Sequence, residues 1–326
     1  MKILNRLFVF FIVKSLNFIQ FKKFFYKRLD NPPRKVKIFS NLKTNKNYIV
    51  EIFNIDSYPV YTIYKNYSMH EKKARFKKYD SNDQYLSQKL PKNHIIFFHG
   101  GGYIFKETYG HKVLVFKLLK MLDIKISFFD YPLAPENDYK KTLEIVEKGY
   151  FKLLEKYPDD DFIFMGDSAG GGLALAFNIK LIKDNLNYLP KRIPRKSILL
   201  SPWLDLSLSN PDIKQYEKKD PILSYEILKK AALMYSKAKD LSDPILKNPL
   251  LSPIYRNFDD DGQILIFTGT NEILYPDCLL FEQKVKNSKN RSIKLIIEEE
   301  FIHDWLVFPF PGKKKAFIEI AKFINS

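Results

Sequence analysis

The sequence predicts an α/β fold: a mainly parallel central sheet with helices on both faces and a helical cap over one end. Three observations predict it. Short apolar runs rich in Ile, Phe and Val recur with helical patterns between them, glycine-rich turns follow two of those runs, and one proline-punctuated interval breaks the alternation. Strand and helix in alternation argue for a parallel sheet buried on both faces, which is why the strands read as continuous apolar runs. At 326 residues and 45% hydrophobic, the chain can bury a substantial core in one large domain.

Residues 47–55 and 59–65 read as opening antiparallel strands, separated by the turn-prone Asp56-Ser57. Strands are then expected near 95–98, 125–129, 161–165, 196–200, 263–267 and 293–298, with helices at about 111–122, 139–156, 169–184, 277–287 and 314–325. The interval 203–255, with Pro211, Pro221, Pro244, Pro249 and Pro253, surrounds a helical stretch at about 224–237. An insertion there, between core strands, is where a lid would sit. The chain thus divides into an N-terminal helical segment (1–45), a first part of the core (46–202), a cap insertion (203–255) and a second part of the core (256–326). Trp203, Leu223, Met234 and Tyr235 are placed either to line a pocket under that cap or to form its own small core.

Gly166-Asp167-Ser168-Ala169-Gly170 follows the apolar run 162–165 and opens the next helix. A hydroxyl held at a tight strand-to-helix turn needs neighbours without Cβ bulk, and G-x-S-x-G supplies them. Ser168 is the candidate nucleophile. His99-Gly100-Gly101-Gly102-Tyr103 follows another buried run, 95–98. Its glycines leave backbone N–H groups open to an oxygen that becomes negative during acyl transfer. Gly101 and Gly102, with the N–H of Ala169, form the candidate oxyanion hole.

Of the five histidines, only His303 follows Ser168, which nominates it as general base if the order is nucleophile, acid, histidine. The acid must hold the imidazole in its working tautomer. Glu272 and Asp277 both lie beyond the strand at 263–267; Glu272 is favoured, because Asp277 follows Pro276 and reads as a first-turn helix carboxylate. Asp304 adjoins His303, but neighbouring side chains on an extended loop are expected to diverge. Asp167 reads as structural.

Together with Asp130-Tyr131-Pro132-Leu133-Ala134-Pro135-Glu136, Ser201-Pro202-Trp203 and His303-Asp304-Trp305, these motifs make the chain resemble the hormone-sensitive-lipase-like branch of the α/β-hydrolase fold over roughly residues 90 to 320. The resemblance implies a serine carboxylesterase acting on short- to medium-chain acyl esters. It maps a triad onto Ser168, Glu272 and His303, oxyanion donors onto Gly101, Gly102 and Ala169, and a loop-orienting role onto His99. One departure stands: where the family carries D-x-L-x-D, this chain has one extra residue between Glu272 and Asp277. An amidase or formamidase, a lipase with the same triad, or a non-catalytic binding protein on this fold are the alternatives.

The net charge of +17 is carried mostly by lysine; no nucleic-acid module accompanies it and arginine is scarce, so nucleic acid is not an expected partner. No clustered His/Cys spacing suggests a metal, and no cofactor motif appears. The single cysteine, Cys278, rules out an intramolecular disulfide and suits a cytoplasmic location. The N-terminus joins Leu7-Phe8-Val9-Phe10-Phe11-Ile12-Val13 to the basic Lys22-Lys23 and Lys27-Arg28. Interrupted by Lys14, the run is shorter than the about 20 residues a span needs, and it lacks a small-residue cleavage site. A cap helix is the first reading of this segment. Peripheral contact with an anionic membrane is the second.

Overall fold

The computed structural model describes residues 22–23, 26–33, 38–39, 46–67, 90–185, 193–257, 262–289 and 292–326. The apolar run at 7–13, on which the membrane-contact reading rests, lies outside the described residues. Among those described, no helix is long and apolar enough to cross a membrane.

Eight strands form one sheet: β1 (Tyr48–Ile55), β2 (Tyr58–Lys65), β3 (Asn93–Phe98), β4 (Lys125–Phe129), β5 (Asp161–Asp167), β6 (Lys196–Leu200), β7 (Gln263–Asn271) and β8 (Ile293–Ile302). Their spatial order is β1-β2-β4-β3-β5-β6-β7-β8. The β1/β2 and β2/β4 pairs are antiparallel; from β4 to β8 every pair is parallel. The long helices are α1 (Tyr109–Met121), α2 (Tyr139–Lys156), α3 (Ala169–Asn185), α6 (Tyr275–Lys286) and α7 (Lys314–Asn325), with α4 (Ile213–Glu217) and α5 (Tyr225–Ser236) between β6 and β7. This is the α/β architecture the alternation predicts.

The two-residue period of a strand divides the core. In β3, Ile96 and Phe98 face a cluster containing Phe177 of α3, Phe281 of α6 and Leu153 of α2, whereas Ile95 and Phe97 face Leu114 and Leu118 of α1 and Ile320 of α7. Both faces are covered, so neither demands polar residues. Helix starts are written locally: Asp138 accepts the N–H groups of Lys140 and Lys141 at the start of α2, and Ser224 accepts that of Ile227 at the start of α5.

The α4–α5 region builds no separate core. Ile227, Leu228, Ala231 and Tyr235 join the same cluster as α2, α3 and α6, with Met234 packed partly buried against it. The described N-terminal residues rest on this region. Leu29 is buried in the same cluster, Lys22 Nζ donates to the Glu217 carbonyl at 3.2 Å, and Lys230 pairs with Asp30 at 2.6 Å.

Candidate active site

Ser168 joins β5 to α3 with φ at +50°, a conformation that a residue with a Cβ adopts only when its surroundings enforce it. Here they do. Its N–H donates to Leu200 O at 2.8 Å, and its carbonyl accepts the N–H groups of Gly171 at 3.1 Å, Gly172 at 3.2 Å and Trp203 at 2.8 Å. The helix must also start against the end of β3: a Cβ on Gly170 would fall inside the carbonyl oxygens of Phe98 and His99.

His303 and Glu272 follow the ends of β8 and β7, and parallel pairing of those strands brings them beside Ser168. His303 Nε2 lies 2.9 Å from Ser168 Oγ, and His303 Nδ1 lies 3.1 Å from Glu272 Oε2. The Glu272 carboxylate is buried and fixed through its other oxygen, which accepts from Ser201 Oγ at 3.1 Å, Thr268 Oγ1 at 2.8 Å and the Gly269 N–H. Asp277 is elsewhere. It sits buried in the first turn of α6, accepts from Asn210 Nδ2 at 2.8 Å, and is pushed up to about 7, first by burial and then by the charge of Asp205. Of the two candidate acids, Glu272 alone is brought to the histidine.

The expectation that Asp304 diverges from His303 is wrong. Asp304 takes a left-handed backbone, φ +55°, which swings its carboxylate back until Oδ2 is 3.2 Å from His303 Nε2. Aspartate tolerates this conformation better than most residues. Its N–H donates to Ser201 Oγ at 3.1 Å, so one hydroxyl links Asp304 to Glu272. Ser201 and Asp220 are further residues that sequence motifs did not assign to the site. Asp220 reaches across from the cap, accepting from Ile222 N at 2.8 Å and Leu223 N at 2.9 Å through one oxygen, and from Ile273 N at 2.9 Å through the other.

The glycine loop stands opposite. Gly101 (φ +111°) and Gly102 (φ +63°) both occupy backbone space that side chains avoid, and a Cβ on Gly101 would lie 2.5 Å from Phe105 O. Among the described residues the N–H groups of Gly101 and Gly102 donate to no backbone carbonyl. Ala169, first residue of α3, has an N–H with no intrahelical acceptor. His99 orients this loop: its Nδ1 is 2.7 Å from Gly100 O, its ring stacks on Tyr131, and its carbonyl accepts the Tyr131 hydroxyl at 2.5 Å. Burial pushes His99 down to about 3, so the ring is neutral and Nδ1 carries the donated proton. Tyr103 stacks face to face on Tyr235 of α5, tying loop to cap. Asp167, the residue before Ser168, accepts from His111 Nε2 at 3.0 Å.

These groups open into a cavity of about 280 Å³ under the cap. Leu29, Trp203, Leu223, Leu228, Ala231 and Val307 give it an apolar wall, with Ser168 and His303 at its floor. Of the four cap residues nominated as pocket or core, Trp203 and Leu223 line it, whereas Tyr235 and Met234 belong to the packing behind. A larger cleft of about 490 Å³ lies at the opposite end of the sheet among Asn93, Asp160 and Lys196, far from the three aligned groups. His99, Glu107 and Asp130 are the described residues whose ligand atoms cluster within 4.8 Å. Both Asp130 oxygens already accept from Lys106 Nζ, at 2.7 and 2.6 Å, so a lysine is the cation of that group.

Residues 95–307 match the family model described as alpha/beta hydrolase fold. The chain belongs to this family. Among curated relatives, an esterase from Acinetobacter venetianus is 30% identical over 71% of this α/β hydrolase and 74% of its own length. An acetyl-hydrolase from Streptomyces hygroscopicus is 26% identical over 70% and 73%. A solved structure of a hormone-sensitive lipase from a metagenome library superposes with a TM-score of 0.72 over 98% of this chain and 97% of its own, at 23% identity, a likeness of fold. The sequence motifs keep their resemblance to the hormone-sensitive-lipase-like branch within this family.

Proposed function

We propose that the protein is a serine carboxylesterase that cleaves short- to medium-chain acyl esters through an acyl-enzyme on Ser168. The observation that carries this reading is the continuous relay of Ser168 Oγ, His303 and Glu272, at 2.9 and 3.1 Å, on the floor of the apolar cavity. His303 takes the Ser168 proton as Oγ attacks the ester carbonyl, and Glu272 holds the Nδ1 proton and supports the imidazolium. The N–H groups of Gly101, Gly102 and Ala169 receive the carbonyl oxygen as its charge grows. His303 returns the proton to the departing alcohol, and water, activated the same way, releases the acid.

A cavity of about 280 Å³ is small beside the ~300–1,000 Å³ typical of drug-sized ligands, which favours a short acyl chain. In this reading residues 203–255 form the cap and the N-terminal segment completes it, since Leu29 lines the cavity. The cytoplasm is the proposed location.

The test is hydrolysis of p-nitrophenyl esters from acetate to palmitate by the protein and by Ser168→Ala, with fluorophosphonate labelling alongside. Turnover that peaks at short chains and vanishes with the labelling in the variant supports the reading. Silence across the series from an unlabelled, folded protein would overturn it.

A further inference from the structure

His303 is faced by more carboxylates than a relay needs. Glu272 meets Nδ1, Asp304 meets Nε2 at 3.2 Å on the same side as Ser168 Oγ, and Asp220 adds its charge from the cap. Asp304 is faced in turn by Asp167 of the elbow, which His111 Nε2 bonds at 3.0 Å, and has Glu107 near that histidine. These groups are all buried.

The geometry at Nε2 carries a proton count. In a relay ready to react, His303 is neutral, Nδ1–H donates to Glu272, and Nε2 presents a lone pair to the Ser168 hydroxyl. A carboxylate oxygen 3.2 Å from that lone pair would be acceptor against acceptor in a buried site, a repulsive contact. The contact becomes attractive only if one further proton lies between them, on Nε2 or on Asp304.

We propose that Asp304 is a positioning residue that shares this proton with His303 and thereby sets the pH at which the base becomes available to Ser168. The inference rests on the esterase reading above. Burial alone would lower the His303 pKa, but the charge and hydrogen bond of Asp304, then Glu272, outweigh it and hold the imidazolium well above its usual range. Asp304 itself is pushed up by burial, against the pull of His303.

The proton balance is simple. The His303–Asp304 pair releases one proton to solvent, leaving neutral His303 with its Nε2 lone pair free. Ser168 then transfers its own proton to Nε2 as Oγ bonds to the acyl carbon, and the imidazolium so formed finds Asp304 already in place. Asp304 therefore trades activity at low pH for a stronger base once the pair has opened.

The experiment compares kcat/KM against pH for p-nitrophenyl acetate between the protein and Asp304→Asn, with Asp304→Ser as a second variant in case the first fails to fold. Removing the carboxylate lowers the His303 pKa, so the acid limb should move down by about one unit or more, a gain that reaches about tenfold at pH values below the shifted limb. The fluorophosphonate labelling rate should move with it. A limb that stays put or moves up in the folded variants overturns the proposal. The low-field imidazolium N–H proton resonance of the unmutated protein gives a readout independent of turnover. Its presence at neutral pH, and its loss in Asp304→Asn, is expected even if no ester is cleaved; its absence in the unmutated protein sinks the shared proton whatever the substrate.

Discussion

Glu272→Gln tests the relay most sharply, because the surroundings dictate how the new side chain must sit. Three donors converge on Oε1: Ser201 Oγ, Thr268 Oγ1 and the Gly269 N–H. An amide nitrogen can accept none of them, so the carboxamide oxygen must take that place and the NH₂ must turn to His303. Two N–H donors then meet across 3.1 Å. The imidazole can relieve this by moving its proton to Nε2, leaving Nδ1 to accept. In that tautomer Nε2 cannot receive the Ser168 proton. The corresponding wrong tautomer in another serine hydrolase lowers kcat about 10⁴-fold, or about 5 kcal/mol of barrier. Loss of Ser168 or His303 should cost more, on the order of 10⁶. Folding should survive, since the amide oxygen still accepts the three buried bonds, weakened from charged to neutral strength. The assay is kcat/KM on p-nitrophenyl butyrate at pH 8 for the protein, Glu272→Gln and Ser168→Ala, with thermal unfolding of each. A folded Glu272→Gln within tenfold of the parent would refute the tautomer argument and the role given to Glu272.

Gly101→Ala should lower kcat by about 10² to 10³, because relief of the 2.5 Å approach to Phe105 O turns the loop proposed to present the oxyanion donors. Its melting temperature should fall only modestly, in line with about 1–3 kcal/mol of backbone strain; a variant with unchanged turnover would detach this loop from the chemistry. Asp277→Asn should leave esterase activity intact and change the pH dependence of stability. The folded pKa of Asp277 lies near 7 and the unfolded one near 3.8, so the native state retains a proton the unfolded state has lost, and stability declines as pH rises between those values. The asparagine removes that decline, and thermal melts of the two proteins at pH 5 and pH 8 measure it. A larger loss of stability between those pH values in the variant would contradict the sign.

Much of the site is legible from local sequence because its parts are local demands. Ser168 at its strand-to-helix turn needs small neighbours, the proposed oxyanion loop needs glycines, and both advertise these needs within five residues. His303 is found by chain order. What stays hidden depends on backbone direction and on pairing between distant segments. Glu272 and Asp277 differ by five positions, and only the turn after β7 decides which one faces the histidine. The return of Asp304 depends on a left-handed φ, which composition does not announce. Ser201 matters because β6 lies beside β7, and Asp220 because the cap folds down onto Ile273. The ends of β7 and β8 also run past the expected 267 and 298, since the two strands remain paired as far as Asn271 and Ile302 across a bulge.

β8, which carries the chain to His303, is the outer strand of its side of the sheet, and among the described residues it pairs only with β7. One row of its amides and carbonyls is therefore open to any extended peptide that drifts past, including the same strand of another copy. Most of the solvent-facing positions answer this with charge: Lys294, Glu299 and Glu300 are exposed and Glu298 is half-buried, with Ile297 the apolar exception among them. An incoming copy in parallel register would set glutamate against glutamate. The strand that delivers the proposed base is thus also written to resist polymerisation, and neutralising its acidic end would expose the molecule to stacking edge on edge long before it disturbed the chemistry.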